Sequence, residues 1–427
     1  MKSRFRIICL VLSLAFNLYA NAQKDYARKV VDTLASPYMA GRGYVDNGCE
    51  KAAKYIKEQF KSFGLSQFDK SYAQEFHFPI STYPDKIEVE TNGKKAANGA
   101  DYIVVPSTPS IEGTFSVIKF NRLILKDSNK LKEFLSKDYS KTFILVDDSG
   151  VTDKREEQLW ESTRFNPFKA KGIIILTDKL TEETSDTVLN YALIYALRNT
   201  DFREANRITL NIKNKFIKDF TAENLVGCVK GSTQPDTFLV FSAHYDHLGR
   251  MGDIYFPGAN DNASGVAMLL SLAKYYSQAK NQPRYSIAFI AFGAEEVDIK
   301  GSQYYCQYPL FPLSQVKFLV NMDIMGTGDE GIMVVNGFEY NKPFKDMTRI
   351  NDSLHLLKEI KPRSATANSD HYFFYKQHVP DFFIYTMGGI KAYHDIYDKR
   401  ETLPLTDFDN VFKLLLNFTD DICKRRF

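Results

Sequence analysis

Four apolar runs, FLVFSA at 238–243, YSIAFIAF at 285–292, VKFLVNM at 316–322 and PDFFIYTM at 380–387, carry no alternation of apolar and polar side chains. A strand with one wet face alternates, so runs of this kind read as strands covered on both faces, the condition of a parallel sheet sandwiched between helices. Between the first two lies SGVAMLLSLAKYYSQA (264–279), read as an amphipathic helix with Ser264 as its N-cap. Strand, helix, strand in that order demands right-handed crossovers. The expected fold is therefore α/β, a three-layer α/β/α sandwich with a mostly parallel, mixed central sheet.

Upstream the texture changes twice. Residues 23–80 hold two helical patterns, YARKVVDTLASPYM and CEKAAKYIKEQFKSFGL, and form the expected N-terminal helical part of the main domain. Residues 81–215 hold short β-like runs such as TFSVIKF, KTFILVDD and RITLNI, which predict a smaller β-rich inserted domain before the main domain resumes over 216–427. Residues 1–22 have a basic start, an apolar run from Ile7 to Ala20 and the triplet Ala20, Asn21, Ala22. That is a signal-peptide pattern, too short to span a membrane, and it predicts an exported chain, periplasmic or secreted, with no membrane anchor after cleavage. Losing Lys2, Arg4 and Arg6 with the leader leaves 52 basic against 52 acidic residues, so nothing electrostatic calls for nucleic acid as a partner. Cys49, Cys228, Cys306 and Cys423 are far apart and form no zinc-finger pattern.

In open α/β sheets ligands bind beyond the carboxyl ends of the strands, so the residues that follow each run matter. His244, Tyr245, Asp246 and His247 follow the first. Glu295 and Glu296 follow the second, Asp323 the third, and His394 the fourth across a Gly-containing loop, while Asp261 stands at the mouth of the helix in GANDNASG. Any one of these alone is ordinarily a cap or a loop residue. Their recurrence at one end of successive buried strands is what a shared site requires. Imidazole and carboxylate make an N/O donor set suited to Zn²⁺. Two ions sharing one carboxylate would use five of the six groups and leave one as a base. Glu296 is assigned to metal and Glu295 to proton transfer, although adjacency alone does not fix which is which. Asp246 either orients an imidazole or caps a turn; His247 stands between ligand and structural readings, and His77, His355 and His378 are read as structural.

The motifs AHYDHLG (243–249), YFPGANDNASGVAMLLSLA (255–273), IAFIAFGAEEVDIKGSQYY (287–305), NMDIMG (321–326), NSDHYFFYKQHVP (368–380) and YHDIYD (393–398) resemble, in order, the signatures of the exported dizinc aminopeptidases of peptidase clan MH. Gly41-Arg42-Gly43 resembles the family's N-terminal start, and the middle region resembles its protease-associated insertion. The resemblance implies two zinc ions bridged by Asp261, with Glu296 and His394 completing one site, His244 and Asp323 the other, and Glu295 as general base. It also implies a cis peptide between Asp261 and Asn262, and peptides with a free N-terminus as substrates. Asp370 and His371 are a candidate wall of the substrate pocket. Three positions depart from the family pattern: Asp298 and His378 stand where glycine is usual, and Lys399 where threonine is frequent. A glutaminyl cyclase of the same fold would need indole near the metal, and Trp160, the one tryptophan, lies in the insertion. A carboxypeptidase or dipeptidase-type amidohydrolase would need a basic pocket residue, for which Arg349 and Arg363 are candidates. A binding ectodomain would have lost ligands, and all five are present.

Overall fold

The computed structural model describes residues 23–424 except Thr152, so the expected leader over 1–22 lies outside the described residues. The larger of two eight-stranded sheets runs, in spatial order, Ala73–Thr82, Lys215–Val229, Tyr285–Phe292, Gln234–His244, Val316–Met322, Asp381–Thr386, Ile332–Val335 and Ile360–Arg363. The four unalternating runs are its centre, and neighbours among them pair in parallel. Antiparallel pairings flank them, so the sheet is mixed.

Alternate residues of these strands enter different cores. Leu239, Phe241, Ile287, Phe289, Phe318 and Val320 pack against the helices 23–34, Gly48–Ser62, Gly265–Tyr276, Asn341–Leu354 and Phe408–Lys424. Val240, Ala288, Ile290, Phe292 and Leu319 pack with Tyr305 and Phe374, from the helices Lys300–Gln307 and His371–Lys376 on the other face. Each large side chain so buried contributes about 1.5–3 kcal/mol, and two such layers leave no polar position for alternation to mark.

The helix after the first strand differs from its expected form. It spans Gly265–Tyr276, and only Lys274 and Tyr275 escape burial, so it is an enclosed helix rather than an amphipathic one. Ser264 holds the N-cap position, but its side chain does not cap the helix. The Ser264 hydroxyl donates to the Asn260 carbonyl and accepts from Met325 N–H, at 2.7 Å each, while Asn262 Oδ1 takes the Gly265 N–H at 2.9 Å.

The middle region forms the second sheet, in the order Lys94–Lys95, Glu88–Thr91, Arg207–Ile212, Ile111–Asn121, Thr142–Asp147, Gly172–Thr177, Ala192–Leu197, Tyr102–Val104. Four of its strands are parallel neighbours, and the helices Ser128–Leu135 and Lys154–Ser162 accompany them, so it is itself α/β in texture. The chain leaves the larger sheet through Ala73–Thr82 and returns through Lys215–Val229, its antiparallel neighbour. The segment 23–80, expected to be helical, thus ends in a strand of the larger sheet. Cys49, Cys228, Cys306 and Cys423 are free and buried. Among the described residues no helix is long and apolar enough to cross a membrane.

Candidate metal centre

Because the four central strands are parallel, their carboxyl ends form one rim, and the residues following them converge there. His244 ends its strand; Asp323 follows Met322; Glu295 and Glu296 follow the strand ending at Phe292; and Asp261 enters from the turn before Gly265–Tyr276. His394 arrives on the loop after Thr386. All five expected ligands meet: His244 Nε2 lies 3.2 Å from Asp261 Oδ1 and 3.3 Å from Asp323 Oδ2, and His394 Nε2 lies 3.0 Å from Asp261 Oδ2 and 3.2 Å from Glu296 Oε2. The peptide between Asp261 and Asn262 is cis.

This donor set fits zinc. Donor atoms bound to Zn²⁺ at about 2.0 Å in a tetrahedron sit about 3.3 Å apart, which matches these separations. Carboxylates do not crowd into a buried space without a cation to balance them, and Asp323 Oδ1 is buried with no hydrogen-bond partner. Although burial opposes its charge, His244 is held well above the usual imidazole range by Asp323 and Glu295. His394, against the same penalty, is pushed up to about 10 by Glu296 and Asp261. Both shifts record how much negative charge is gathered here.

Glu296 faces a second imidazole. His247 Nδ1 lies 2.6 Å from Glu296 Oε1, and His247 Nε2 is buried without a partner. His247, Asp261 and Glu296 by themselves form a group able to hold an ion, beside the group of His244, Asp261 and Asp323. Sequence position gave His247 no such proximity, since its neighbour across the site is 49 residues away.

The supporting residues explain how the ligands are held. Asp246, fully buried, accepts the backbone N–H groups of Glu295 and Glu296 on its two carboxylate oxygens, at 3.1 and 3.3 Å, and the Tyr44 hydroxyl at 3.0 Å. It therefore sets the turn that carries both glutamates, while its main-chain carbonyl, 3.2 Å away, faces His244 Nδ1. Burial and the nearby Glu296 raise the Asp246 carboxyl to about 6 against the pull of His244. Asp398 accepts N–H groups of Asn260 and Asp261 at 2.9 Å, fixing the loop of the shared carboxylate.

Arg42, from the Gly-Arg-Gly loop, is the least expected of them. Its guanidinium is wholly buried and donates to the carbonyls of Tyr245, Leu34, Pro257, Gly258 and Asp261 at 2.8–3.2 Å. Burial lowers its pKa only to about 10, so it stays charged. Its neighbours must be glycine: a Cβ on Gly43 would stand 2.3 Å from Gly249 Cα, and one on Gly258, at φ +57°, 2.2 Å from the Asp261 carbonyl oxygen.

Glu295 lies beside this cluster, with Oε2 3.9 Å from His244 Nε2. Burial pushes its carboxyl well above the usual range against the pull of His244, and Asp370 and Glu296 add to the rise. Asp370 is itself fully buried and raised to about 7 by burial. His371 packs against Phe383, ring centres 5.1 Å apart and the planes tilted by 33°, and burial lowers it to about 3. Arg349 pairs with Asp421 on an exposed helix face and Arg363 donates to Tyr385 Oη on the surface, so neither enters the cluster. Trp160 is buried against Phe120 within the second sheet's own core. Asp298 and His378, the two departures from glycine, both have left-handed backbones, with φ 55° and 62°.

A mixed α/β/α sheet thus carries, beyond its parallel strands, a buried His/Asp/Glu cluster able to hold metal ions. Residues 224–419 match the model of Peptidase family M28. A probable zinc metalloprotease of Pyricularia oryzae is 35% identical over 134 residues, 30% of this chain and 24% of that protein. Aminopeptidase YwaD of Bacillus subtilis is 29% identical over 171 residues, 38% of this chain and 35% of the relative. The chain thus spans about a quarter to a third of the length of these curated relatives. BSAP, a zinc aminopeptidase from Bacillus subtilis, superposes with a TM-score of 0.69 at 18% identity, over 94% of this chain and 96% of that one. A peptidase M28 precursor from Shewanella amazonensis does so with a TM-score of 0.67 at 14% identity, over 96% and 98%. Those likenesses extend the shared fold to nearly the whole chain.

Proposed function

We propose that the chain is an exported zinc aminopeptidase that hydrolyses the N-terminal peptide bond of peptides with a free amino terminus, using two metal ions. The observation that carries the reading is the division of Asp261, one carboxylate oxygen toward His244 and Asp323 and the other toward His394 and Glu296. Bound zinc supplies Lewis acidity toward the scissile carbonyl and the attacking water.

Glu295 takes a proton from that water and returns it to the leaving amine. Two features support the role: its carboxyl stands beside His244 while Glu296 Oε2 lies 3.2 Å from His394 Nε2, and burial raises its proton affinity well above that of an ordinary carboxylate. Asp246 keeps the two glutamates in these separate roles through their backbone N–H groups. The carboxylates around the site suit the ammonium of a free N-terminus, which favours removal of terminal residues over internal cleavage. Export rests on the leader pattern of residues 1–22.

The test is mass spectrometry of a defined peptide mixture incubated with the purified chain, with and without chelator, the peptides having free, acetylated or glutamine N-termini. Stepwise shortening of the free-amine peptides alone, abolished by chelator, is expected. Ammonia loss from the glutamine peptide, or shortening from the carboxyl end, overturns the proposal.

A further inference from the structure

The two halves of the centre are held from different places. His244 Nδ1 faces the carbonyl of Asp246, two residues along its own loop. His394 Nδ1 instead donates to the carbonyl of Glu182 at 2.9 Å, and Glu182 N–H donates back to the carbonyl of His394 at 2.8 Å. Glu182 belongs to the second sheet's domain, on the loop joining Gly172–Thr177 to Ala192–Leu197. That loop makes three further attachments around the same ligands. Thr184 Oγ1 donates to the carbonyl of Glu296. Lys179 Nζ reaches the carbonyls of Lys391 and Tyr393, at 3.2 and 3.1 Å, on the loop that carries His394. Asp186 pairs with Lys300 at 2.9 Å, at the start of the helix after the paired glutamates. The loop is anchored in turn, since Ser81 N–H donates to the Ser185 carbonyl at 2.8 Å.

A histidine ligand depends on the acceptor at its other ring nitrogen, which fixes tautomer and ring direction; losing such a partner typically weakens metal affinity about 10–100-fold. We propose that the inserted domain is an integral part of the metal centre: its loop 179–186 positions His394 and Glu296, so that the ion held by this pair depends on the insertion while the ion held by His244 and Asp323 does not. The proposal rests on the two-zinc reading above. Glu182, Thr184 and Lys179 are positioning residues, acting through His394 and Glu296 rather than on substrate.

The test is zinc affinity, measured by competition with a chromophoric chelator on the full chain, for the native protein, Thr184→Val, Thr184→Ser and the double variant Lys179→Met with Thr184→Val. Thr184→Val is nearly isosteric and leaves the fold intact, which circular dichroism verifies. Lys119→Met, at an exposed ion pair with Glu204 in the same domain, is the control. The native chain and the control are expected to bind two zinc ions. The double variant should lose about 10–100-fold at one site alone, Thr184→Val should show a smaller loss at the same site, and Thr184→Ser, which keeps the hydroxyl, should restore it. Unchanged affinities, or equal weakening of both sites, overturn the proposal while leaving the aminopeptidase reading intact. A native chain that binds fewer than two zinc ions overturns the two-metal reading itself and this proposal with it.

Discussion

Asp261 offers its two carboxylate oxygens to two different imidazoles, Oδ1 lying 3.2 Å from His244 Nε2 and Oδ2 3.0 Å from His394 Nε2. Removing that carboxylate should therefore empty both sites, whereas Asp323 serves only the His244 side. Asp261→Ala is expected to purify with almost no zinc and Asp323→Ala with about one ion per chain, as read by plasma mass spectrometry after dialysis. Equal zinc content in the two variants would contradict the shared role of Asp261.

Glu295 is given a proton-transfer role without a ligand role. Glu295→Gln should lower kcat by about 10²–10⁴ with KM little changed. Its zinc content should remain that of the native chain. A variant that loses zinc in proportion to activity would show Glu295 to be a ligand instead.

Arg42 fastens the N-terminal segment to the metal loop. Arg42→Ala leaves five carbonyls without their donor, and a buried acceptor left unpaired costs about 1–3 kcal/mol. The effects overlap, so a loss of roughly 4 kcal/mol or more is expected in urea unfolding, a large part of the total stability of a domain. Lysine has three N–H donors in place of five, and Arg42→Lys should recover only part of the loss.

Asp298 and His378 hold left-handed backbones with exposed side chains. That conformation costs a residue with a Cβ about 1–2 kcal/mol, partly offset by the greater freedom of glycine in the unfolded chain. Asp298→Gly and His378→Gly should each raise stability by about 0.5–1 kcal/mol, visible as a higher Tm in calorimetry with zinc binding unaltered.

In the inserted domain Arg198 gathers Asp147, Asp148 and Asp178 at 2.8, 2.5 and 3.1 Å. Against the effect of burial, hydrogen bonds from Ser149 and the charge of Arg198 hold the Asp147 carboxyl below its usual range. A carboxyl depressed in the folded state stabilises the fold above its unfolded pKa of about 3.9, and this is lost as pH falls through the folded value. Arg198→Ala should thus be less stable than the native chain by a constant amount above about pH 5. The gap should close below about pH 4, as followed by urea unfolding of the metal-free chain; a gap that widens toward acid would reverse the assignment.

The sequence alone settled what local pattern can settle. Unalternating runs specify strands buried on both faces, because a position that never meets water needs no polar residue. The residues after those runs gave His244, Glu295, Glu296, Asp323 and His394, because parallel strands bring their carboxyl ends to one rim. Misreadings came where packing overrode pattern: the Ser264 side chain does not cap its helix, since Asn262 takes the Gly265 N–H instead, and the helix is enclosed rather than half-wet. Only the tertiary structure decided that Arg42 reaches across 219 residues to the carbonyl of Asp261, that Asp246 holds the backbone of Glu295, and that Glu182, 212 residues from His394, orients its ring. Such partners are joined by one or two hydrogen bonds between distant segments, several of them through main-chain atoms that every residue possesses. They leave no periodicity in the chain, and folding alone brings them within reach.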